Sequence, residues 1–369
     1  MQKTNKRICK ILGGFLTETI IIKGKETADL IKDRIRLATT KLAQDPFNIQ
    51  PKLAVILVGH NPASEIYVKQ KVKYAAEVGV LTEIHRLDEE VDFDTLLALI
   101  KKLNADESVN GVILQLPLPL HLKPYTYKAM IAIDSKKDAD CFNPKNIGLT
   151  FLDRANIVPC TSHGVLQLLD QYNVEVQGKH VVIVGASNIV GKPLALELIN
   201  RNATVSVCNI HTKNIRNITK SADILVVAIG HAKFFDHSYV NEDCVVIDVG
   251  INQLFNKSYN PELKAEVEMF GLEKVAREFA ATNKLTLEEA TDKVSNSIKE
   301  QFTVGDVDFH DLLGKCAMVS KVPGGVGLLT VANLLHNTLI LTLLQKKLDF
   351  TDFGLERRYI RDNRDLSHK

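Results

Sequence analysis

The chain has 369 residues, of which 45% are hydrophobic and 24% are charged, and its formal net charge is +2. This length is too great for one ordinary hydrophobic core, so two domains are expected, and the composition is that of a globular protein. The near-neutral charge gives no support for a nucleic-acid partner. No apolar run stands out as long enough to span a bilayer, so no membrane association is expected.

The first 17 residues carry four basic side chains and no acidic one. This pattern is that of a disordered tail or of an organelle-targeting extension, although the arginines and serines typical of such a signal are scarce. Six scattered cysteines include no C-x-x-C pair, which favours reduced thiols over disulfides or a zinc site. The histidines form no metal-binding pair either. We therefore predict a cytoplasmic protein without a bound metal, with an organellar location as the alternative.

Strands and helices alternate through the first half of the chain. Apolar strands are expected at 53–58, 82–87 and 112–116. Helices are expected between them, at 64–78 and 93–104. Continuous apolar strands separated by helices predict a parallel sheet that is covered on both faces. Pro117 and Pro119 predict a rigid loop after the third strand, at the sheet edge where open α/β sheets bind their ligands.

The first predicted helix places a lysine on its apolar side. At roughly 3.6 residues per turn, one stripe of this helix contains Tyr67, Tyr74, Ala75 and Val78. Lys71 falls in the middle of this stripe. Burial disfavours the charged form of a lysine, and the neutral amine is suited to proton transfer. The alternative is that Lys71 extends along its aliphatic stem to reach water.

A second α/β series begins near residue 161. Its first strand, 180–184, leads through Gly185-Ala-Ser-Asn-Ile-Val-Gly191 into a helix at 192–200. Further strands are expected at 204–207, 223–229 and 244–249. This spacing is typical of a Rossmann-type unit, in which the helix N-terminus binds a pyrophosphate. Ser187 holds the second glycine position of the usual G-x-G-x-x-G pattern, so a tight turn without a ligand is the alternative.

Residues 254–303 interrupt this alternation with two helical patterns. Pro261 opens the first, and the capping-box sequence Thr286-Leu-Glu-Glu289 opens the second. We interpret the segment as a helical hairpin inserted into the second domain. The predicted domains are residues 19–160 and 161–327, and a C-terminal helix at 328–349 is expected to pack back on the first domain.

Two further segments have both a chemical and a plain structural interpretation. Three glycines within 324–327 allow the backbone to approach a planar ligand, or they form an ordinary loop. In Lys137-Asp-Ala-Asp140, the last carboxylate can accept hydrogen bonds from adjacent N–H donors of an amino-pterin-like ring, or the segment is a charged surface turn.

Eight segments in order along the chain resemble the bifunctional methylenetetrahydrofolate dehydrogenase/cyclohydrolase family. They are residues 59–71, 115–119, 137–140, 159–161, 185–193, 248–252, 305–309 and 323–327. Each segment alone is weak evidence, but their common order makes the match specific. The resemblance implies a two-domain α/β enzyme that oxidises 5,10-methylenetetrahydrofolate with NAD(P) and hydrolyses the methenyl product to 10-formyltetrahydrofolate. It also implies a homodimer.

The resemblance assigns roles to individual residues. Lys71 matches the catalytic lysine that activates water, Gln115 matches its orienting partner, and Tyr67 matches the aromatic residue that stacks on the folate. Asp140 matches the pterin anchor. The other folate contacts that the resemblance implies are Ser64, Leu114, Leu116, Pro323, Gly324, Gly325, Val326 and Gly327. The dinucleotide contacts that it implies are Thr161, Gly185, Ala186, Ser187 and Ile251.

Two positions depart from the family pattern in ways that concern the ligands. Ile210 stands where the family places an arginine that can meet the 2′-phosphate of NADP, and Ser162 replaces a proline. We therefore expect NADP as the cofactor but with a weakened preference, so that NAD is also usable. His211 or Lys213 can substitute for the missing cation.

Three other functions stay open from the sequence. They are an enzyme with only one of the two activities, a folate- or nucleotide-binding protein that has lost catalysis, and a Rossmann dehydrogenase of another substrate. The presence of Tyr67, Lys71, Gln115 and Asp140 argues against a decayed site. The motifs of the first domain argue against an unrelated dehydrogenase.

Overall fold

The computed structural model describes residues 18–299 and 301–355, so the basic segment 1–17 and its two interpretations lie outside the described residues. A three-stranded sheet consists of β2 (Lys52–Val58), β3 (Leu81–Leu87) and β4 (Gly111–Leu114). A six-stranded sheet consists of β1 (Ile20–Ile22), β5 (His180–Val184), β6 (Thr204–Cys208), β7 (Ile224–Val227), β8 (Val245–Asp248) and β11 (Met318–Ser320). A separate pair consists of β9 (Asn252–Phe255) and β10 (Gln301–Val304).

Thirteen α-helices lie within the described residues. The first seven are α1 (Lys25–Leu42), α2 (Pro62–Glu77), α3 (Phe93–Ala105), α4 (Thr126–Ala132), α5 (Pro144–Phe151), α6 (Cys160–Gln171) and α7 (Gly191–Asn200). The others are α8 (Ile215–Lys220), α9 (Pro261–Phe270), α10 (Leu272–Asn283), α11 (Leu287–Ser297), α12 (Phe309–Leu312) and α13 (Val326–Gln345).

The predicted α/β class is confirmed, because both larger sheets are parallel. The first sheet has the order β3-β2-β4, and residues 53–58 of its central strand are all buried. The second has the order β1-β11-β8-β7-β5-β6. Helices cover both faces, which is why these strands read as continuous apolar runs.

Strand β1 belongs to the second sheet although it precedes the whole first sheet in the chain. Ile20–Ile22 pair in parallel with β11, so sheet pairing crosses the predicted domain limit at this point. A strand of three residues is too short to give a readable alternation, which explains why the sequence did not reveal it. The division at residue 160 otherwise stays a prediction.

The segment predicted as a helical hairpin has a different structure. Three helices, α9 to α11, stand on an antiparallel stem formed by β9 and β10. The predicted first helix was wrong because its apolar pattern runs across Gly271, where a φ of 83° separates α9 from α10. The predicted capping box is confirmed: the Glu289 backbone N–H donates to Thr286 Oγ1, and the Thr286 N–H donates to the Glu289 carboxylate.

Helix α13 is the central helix of the core. It packs against α1 and α6, and most of its length is buried. The sequence analysis found no apolar run of membrane-spanning length, and this was wrong in a narrow sense, because α13 meets the length and composition of such a span. Its burial inside the fold is typical of the core helix of a globular protein.

Asn337 of α13 attaches this helix to the chain around Asp140. Its side-chain amide donates to the carbonyl oxygens of Ala139 and Val158, each at 2.9 Å, and it is 3% exposed. These two carbonyls lie on the segments that lead to the predicted pterin anchor and into α6. The amide therefore holds together two parts of the chain that are far apart in sequence.

We expect Asn337→Leu to lower the free energy of unfolding by about 2–4 kcal/mol, because it leaves buried carbonyls without a donor. Denaturant unfolding of both proteins measures this difference. The control is Asn217→Leu on α8, an exposed position, which should change stability by less than about 0.5 kcal/mol. Equal stabilities of Asn337→Leu and the unmodified protein would contradict the assigned role.

Candidate active site

Lys71 points into the fold from α2. The helix begins at Asn61, whose side chain accepts the Ser64 backbone N–H at 3.0 Å, and Pro62 occupies its first turn. Ser64 and Val68 lie on its buried side, together with Ala75 and Val78 further along. Tyr67, Lys71 and Tyr74 are half-buried at the edge of this buried side. The predicted apolar stripe therefore shares Ala75 and Val78 with the observed one but placed the two tyrosines too near its centre.

The Lys71 ammonium does not extend to solvent. Its Nζ atom donates a hydrogen bond to Gln115 Oε1 at 2.8 Å. Burial lowers the pKa of Lys71, and the nearby Asp140 carboxylate opposes this shift. The alternative in which Lys71 extends along its stem to reach water is therefore wrong. Lys71 has the environment of a lysine suited to proton transfer.

Gln115 is fixed in the orientation that this contact requires. It follows β4, and its backbone N–H donates to Ile56 O at 2.9 Å. Its side-chain Nε2 donates to Leu116 O at 2.8 Å, which turns Oε1 toward Lys71. Ser64 Oγ lies 3.5 Å from the same Leu116 carbonyl, so α2 and the loop after β4 meet at this point.

The segment that carries Asp140 is not a surface turn. Lys137, Asp138 and Ala139 are 8%, 2% and 0% exposed. The segment runs beside β4, since the Val112 N–H donates to Lys137 O at 2.7 Å. Asp138 accepts the Asn143 backbone N–H at 2.7 Å, and burial raises the pKa of this carboxyl to about 6. The charged residues before Asp140 thus serve the fold.

Asp140 itself is available to a ligand. Burial raises the pKa of its carboxyl, and the only opposing influence within the described chain is the positive charge of Lys71. No described residue donates a hydrogen bond to it that would lower this pKa. A carboxylate in such a place gains from N–H donors that a ligand brings. Asp140 and Leu114 both border a small cavity beside β4.

A first cleft lies between α2, the end of β8 and the glycine-rich loop before α13. Predicted site residues that line it are Tyr67, Ile251, Pro323, Gly324, Gly325, Val326 and Gly327. The structure thus brings the loop and the predicted stacking tyrosine together. Lys71, Gln115, Ser64 and Asp140 are not part of this lining.

A second cleft lies at the carboxyl end of β5. Its lining includes the predicted Gly185, Ala186 and Ser187, together with Asn209, Ile210, His211, Thr212, Ile229, His231 and Phe234. Ile210 is 93% exposed, and Lys213 is not part of the lining. Thr161 borders neither cleft and contacts Thr330 of α13 at 3.3 Å between hydroxyl oxygens.

The turn between β5 and α7 requires its two glycines. Gly185 has a φ of 118°, and a Cβ atom there would overlap the Ala228 carbonyl. A Cβ atom on Gly191 would overlap the Gly185 carbonyl. The backbone of the turn at Gly185 therefore packs closely against the first residue of α7. The free N–H groups at this helix N-terminus favour an anion. Ser187 Oγ accepts the Val190 N–H at 3.2 Å, which fixes the residue at the second glycine position.

Several residues of the two clefts were not assigned from the sequence. Asp248 lines the first cleft and belongs to a segment that matched the family without a role. Gln253 and Thr303 also line it, from the stem of the insert, and their side chains share a hydrogen bond of 2.9 Å. No motif marked these two, because the stem strands are short and flank a segment without a counterpart in the family pattern.

One group among the described residues has the spacing of metal ligands: Asp236, His237 and Asp311. His237 and Asp311 hydrogen-bond each other at 2.7 Å, and Asp236 accepts the Ser238 backbone N–H. These contacts give each side chain a structural role at the protein surface. The expectation of no bound metal stays a prediction.

Comparison with known proteins agrees with this geometry. Residues 22–140 match the catalytic domain of the tetrahydrofolate dehydrogenase/cyclohydrolase family, and residues 159–283 and 290–346 match its NAD(P)-binding domain. The bifunctional protein FolD of Agathobacter rectalis is 41% identical over 317 residues, which are 86% of this chain and 96% of the relative. That of Methanosarcina barkeri is 41% identical over 322 residues, 87% and 96% of the two chains.

Two solved structures extend the comparison to three dimensions. The bifunctional FolD enzyme of Campylobacter jejuni superposes with a TM-score of 0.71 at 36% identity, over 89% of this chain and 99% of that one. The FolD enzyme of Trypanosoma brucei, solved with NADP cofactor and inhibitor, superposes with a TM-score of 0.74 at 30% identity, over 89% and 98%. The chain therefore belongs to the tetrahydrofolate dehydrogenase/cyclohydrolase family.

Proposed function

We propose that this protein oxidises 5,10-methylenetetrahydrofolate to the methenyl form with NADP and hydrolyses the methenyl form to 10-formyltetrahydrofolate. Family membership over both domains supports the two activities. The observation that carries the proposal is the Lys71 ammonium, which donates to the Gln115 amide oxygen beside the half-buried Asp140. No feature of residues 18–299 and 301–355 favours a decayed or single-activity site.

Hydrolysis depends on the protonation state of Lys71. Because burial lowers the pKa of Lys71, the neutral amine is more accessible near neutral pH than in an exposed lysine. The neutral amine accepts a proton from the water that attacks the methenyl carbon. Gln115 holds the amine in place without a full negative charge, which would keep it protonated. Asp140 anchors the pterin through charge-assisted hydrogen bonds.

The dehydrogenase step requires mainly correct placement. Bound NADP supplies the acceptor for the hydride that leaves the methylene carbon. The residues that would hold it are Gly185, Ala186 and Ser187 of the second cleft, because the close turn before α7 fits a pyrophosphate. Tyr67 and the glycine-rich loop line the first cleft. The folate ring would lie in this cleft, placed for hydride transfer to the dinucleotide.

The family resemblance and the relatives support assignments for assembly, location and further cofactor contacts. A homodimer follows from the family resemblance, and a cytoplasmic location agrees with the bacterial and archaeal sources of the relatives. Ile251 and Thr161 are proposed dinucleotide contacts from the resemblance, although Ile251 lines the first cleft. NAD as a second usable cofactor rests on Ile210, which offers no charge to a 2′-phosphate.

Lys71→Met should reduce methenyl hydrolysis by ~10²–10⁴-fold or more, because water activation loses its proton acceptor. The rate of loss of methenyltetrahydrofolate absorbance measures this change, with thermal unfolding as the check on folding. Lys69→Met is the matched control, since Lys69 lies on the same helix and is exposed. Full hydrolysis by a folded Lys71→Met protein would refute the role of Lys71.

The cation that replaces the missing arginine is expected to be His211, because His211 lines the second cleft and Lys213 does not. His211→Ala should raise the KM for NADP about twofold to fivefold, which is the effect expected from the loss of one exposed charge contact. The KM for NAD should stay unchanged. Lys213→Ala is the comparison variant with a smaller effect. Initial rates at varied NADP and NAD test this. A strong NADP preference that survives both substitutions would place the 2′-phosphate elsewhere.

A further inference from the structure

Two buried carboxylates, Asp248 and Asp306, lie between the two clefts of the site, and neither has a role in the proposed reaction. Asp248 ends β8 and lines the first cleft, and Asp306 follows β10. They are 3% and 0% exposed. We propose that Asp306 is a positioning residue for the dinucleotide, which it serves by fixing the backbone of Ile229, Gly230 and His231. This inference rests on the proposed function, because it concerns the dehydrogenase cofactor.

Asp306 accepts four hydrogen bonds and has no acceptor capacity left. Oδ2 accepts the backbone N–H groups of Ile229 at 2.6 Å and Gly230 at 2.9 Å. Oδ1 accepts the His231 N–H at 2.8 Å and the Asn252 side-chain amide at 2.9 Å. A carboxylate has about four lone-pair positions, so it is the side chain that satisfies three consecutive N–H groups and an amide together.

The segment that Asp306 holds forms one wall of the second cleft. Ile229 and His231 both line this cleft, as does the glycine turn before α7. The main chain adds further bonds to the same region, from Lys233 N–H to Gly305 O and from Phe235 N–H to Asp306 O, each at 3.0 Å. The position of this wall is therefore determined by Asp306 and its backbone neighbours.

Asp248 fixes Asp306 in turn. Its Oδ1 accepts the N–H groups of Gly250 at 2.9 Å and Asp306 at 3.0 Å, and its Oδ2 accepts the Val307 N–H at 3.0 Å. A Cβ atom on Gly250 would overlap the Asp306 carboxyl, and one on Gly305 would overlap the Asp248 carboxyl. Each carboxylate thus packs against the glycine that neighbours the other, and neither can shift without displacing backbone.

The arrangement also explains how the fold accepts a large insert. The stem strands leave the fold at Asn252 and return at Val304, directly beside the two carboxylates. Because Asp248 and Asp306 hold both ends of the stem, the wall of the second cleft keeps its position whatever the stem carries. Among the described residues, the hydrogen bonds of the Asp306 carboxylate go to Ile229, Gly230, His231 and Asn252, and none goes to Lys71 or Gln115.

The test uses the two activities of one protein. Asp306→Asn keeps the size of the side chain but turns a donor toward N–H groups, so the wall should move. We expect the KM for NADP to rise roughly tenfold or more, while methenyl hydrolysis, which uses no dinucleotide, stays within about twofold. The matched control is Asp308→Asn, two residues along, where the side chain does not cap α12. It should change neither value.

Each outcome decides between a positioning and a structural role. An unchanged KM for NADP, or an equal loss of both activities, would overturn the proposal. Should Asp306→Asn fail to fold, Asn252→Ala is the deciding variant, because it removes one hydrogen-bond donor and leaves the Asp306 carboxylate in place. It should raise the KM for NADP by about twofold to fivefold. An unchanged KM for NADP in this variant would refute the proposal. Absence of both activities from the unmodified protein would instead refute the proposed function.

Discussion

A lysine held by an uncharged amide is the interaction on which the rest of the site depends. The Lys71 ammonium donates to Gln115 Oε1 at 2.8 Å, and no carboxylate forms a salt bridge with it within the described residues. A carboxylate at this place would stabilise the charged form and raise the pKa, whereas an amide orients the amine and leaves burial to lower it. Asp140 lies close enough to influence this balance, so binding of a ligand at Asp140 and protonation of Lys71 are coupled.

The fold brings these groups together through a small number of fixed contacts. Gln115 follows β4, and the segment before Asp140 runs alongside the same strand, so both reach one sheet edge. Asn337 of the central helix α13 then ties this segment to the start of α6. The same helix begins at the glycine-rich loop that lines the first cleft. The packing of this buried helix therefore also sets the position of the loop in the cleft.

Much of this arrangement could be predicted from the sequence, and the failures have physical reasons. The parallel sheets follow from continuous apolar runs, and helical periodicity marked Lys71 as a candidate while leaving open whether its side chain extends to water. The insert was misread because Gly271 breaks a helix that apolar spacing continues. Residues such as Asp306 act through backbone N–H groups that are distant in sequence, and no local pattern reports such a contact. The roles of the site residues came from motif order, which periodicity does not supply.

The pH dependence of methenyl hydrolysis, measured in the unmodified protein and in Gln115→Glu, tests the central claim most directly. A neutral Lys71 is the active form, so the rate should rise with pH and reach half of its maximum below the ordinary lysine value of 10.5. A glutamate in contact with the ammonium favours its charged form, so the midpoint should move to higher pH. Gln44→Glu, which adds the same charge at an exposed position, should not move it. Identical pH profiles for the unmodified protein and Gln115→Glu would contradict the account.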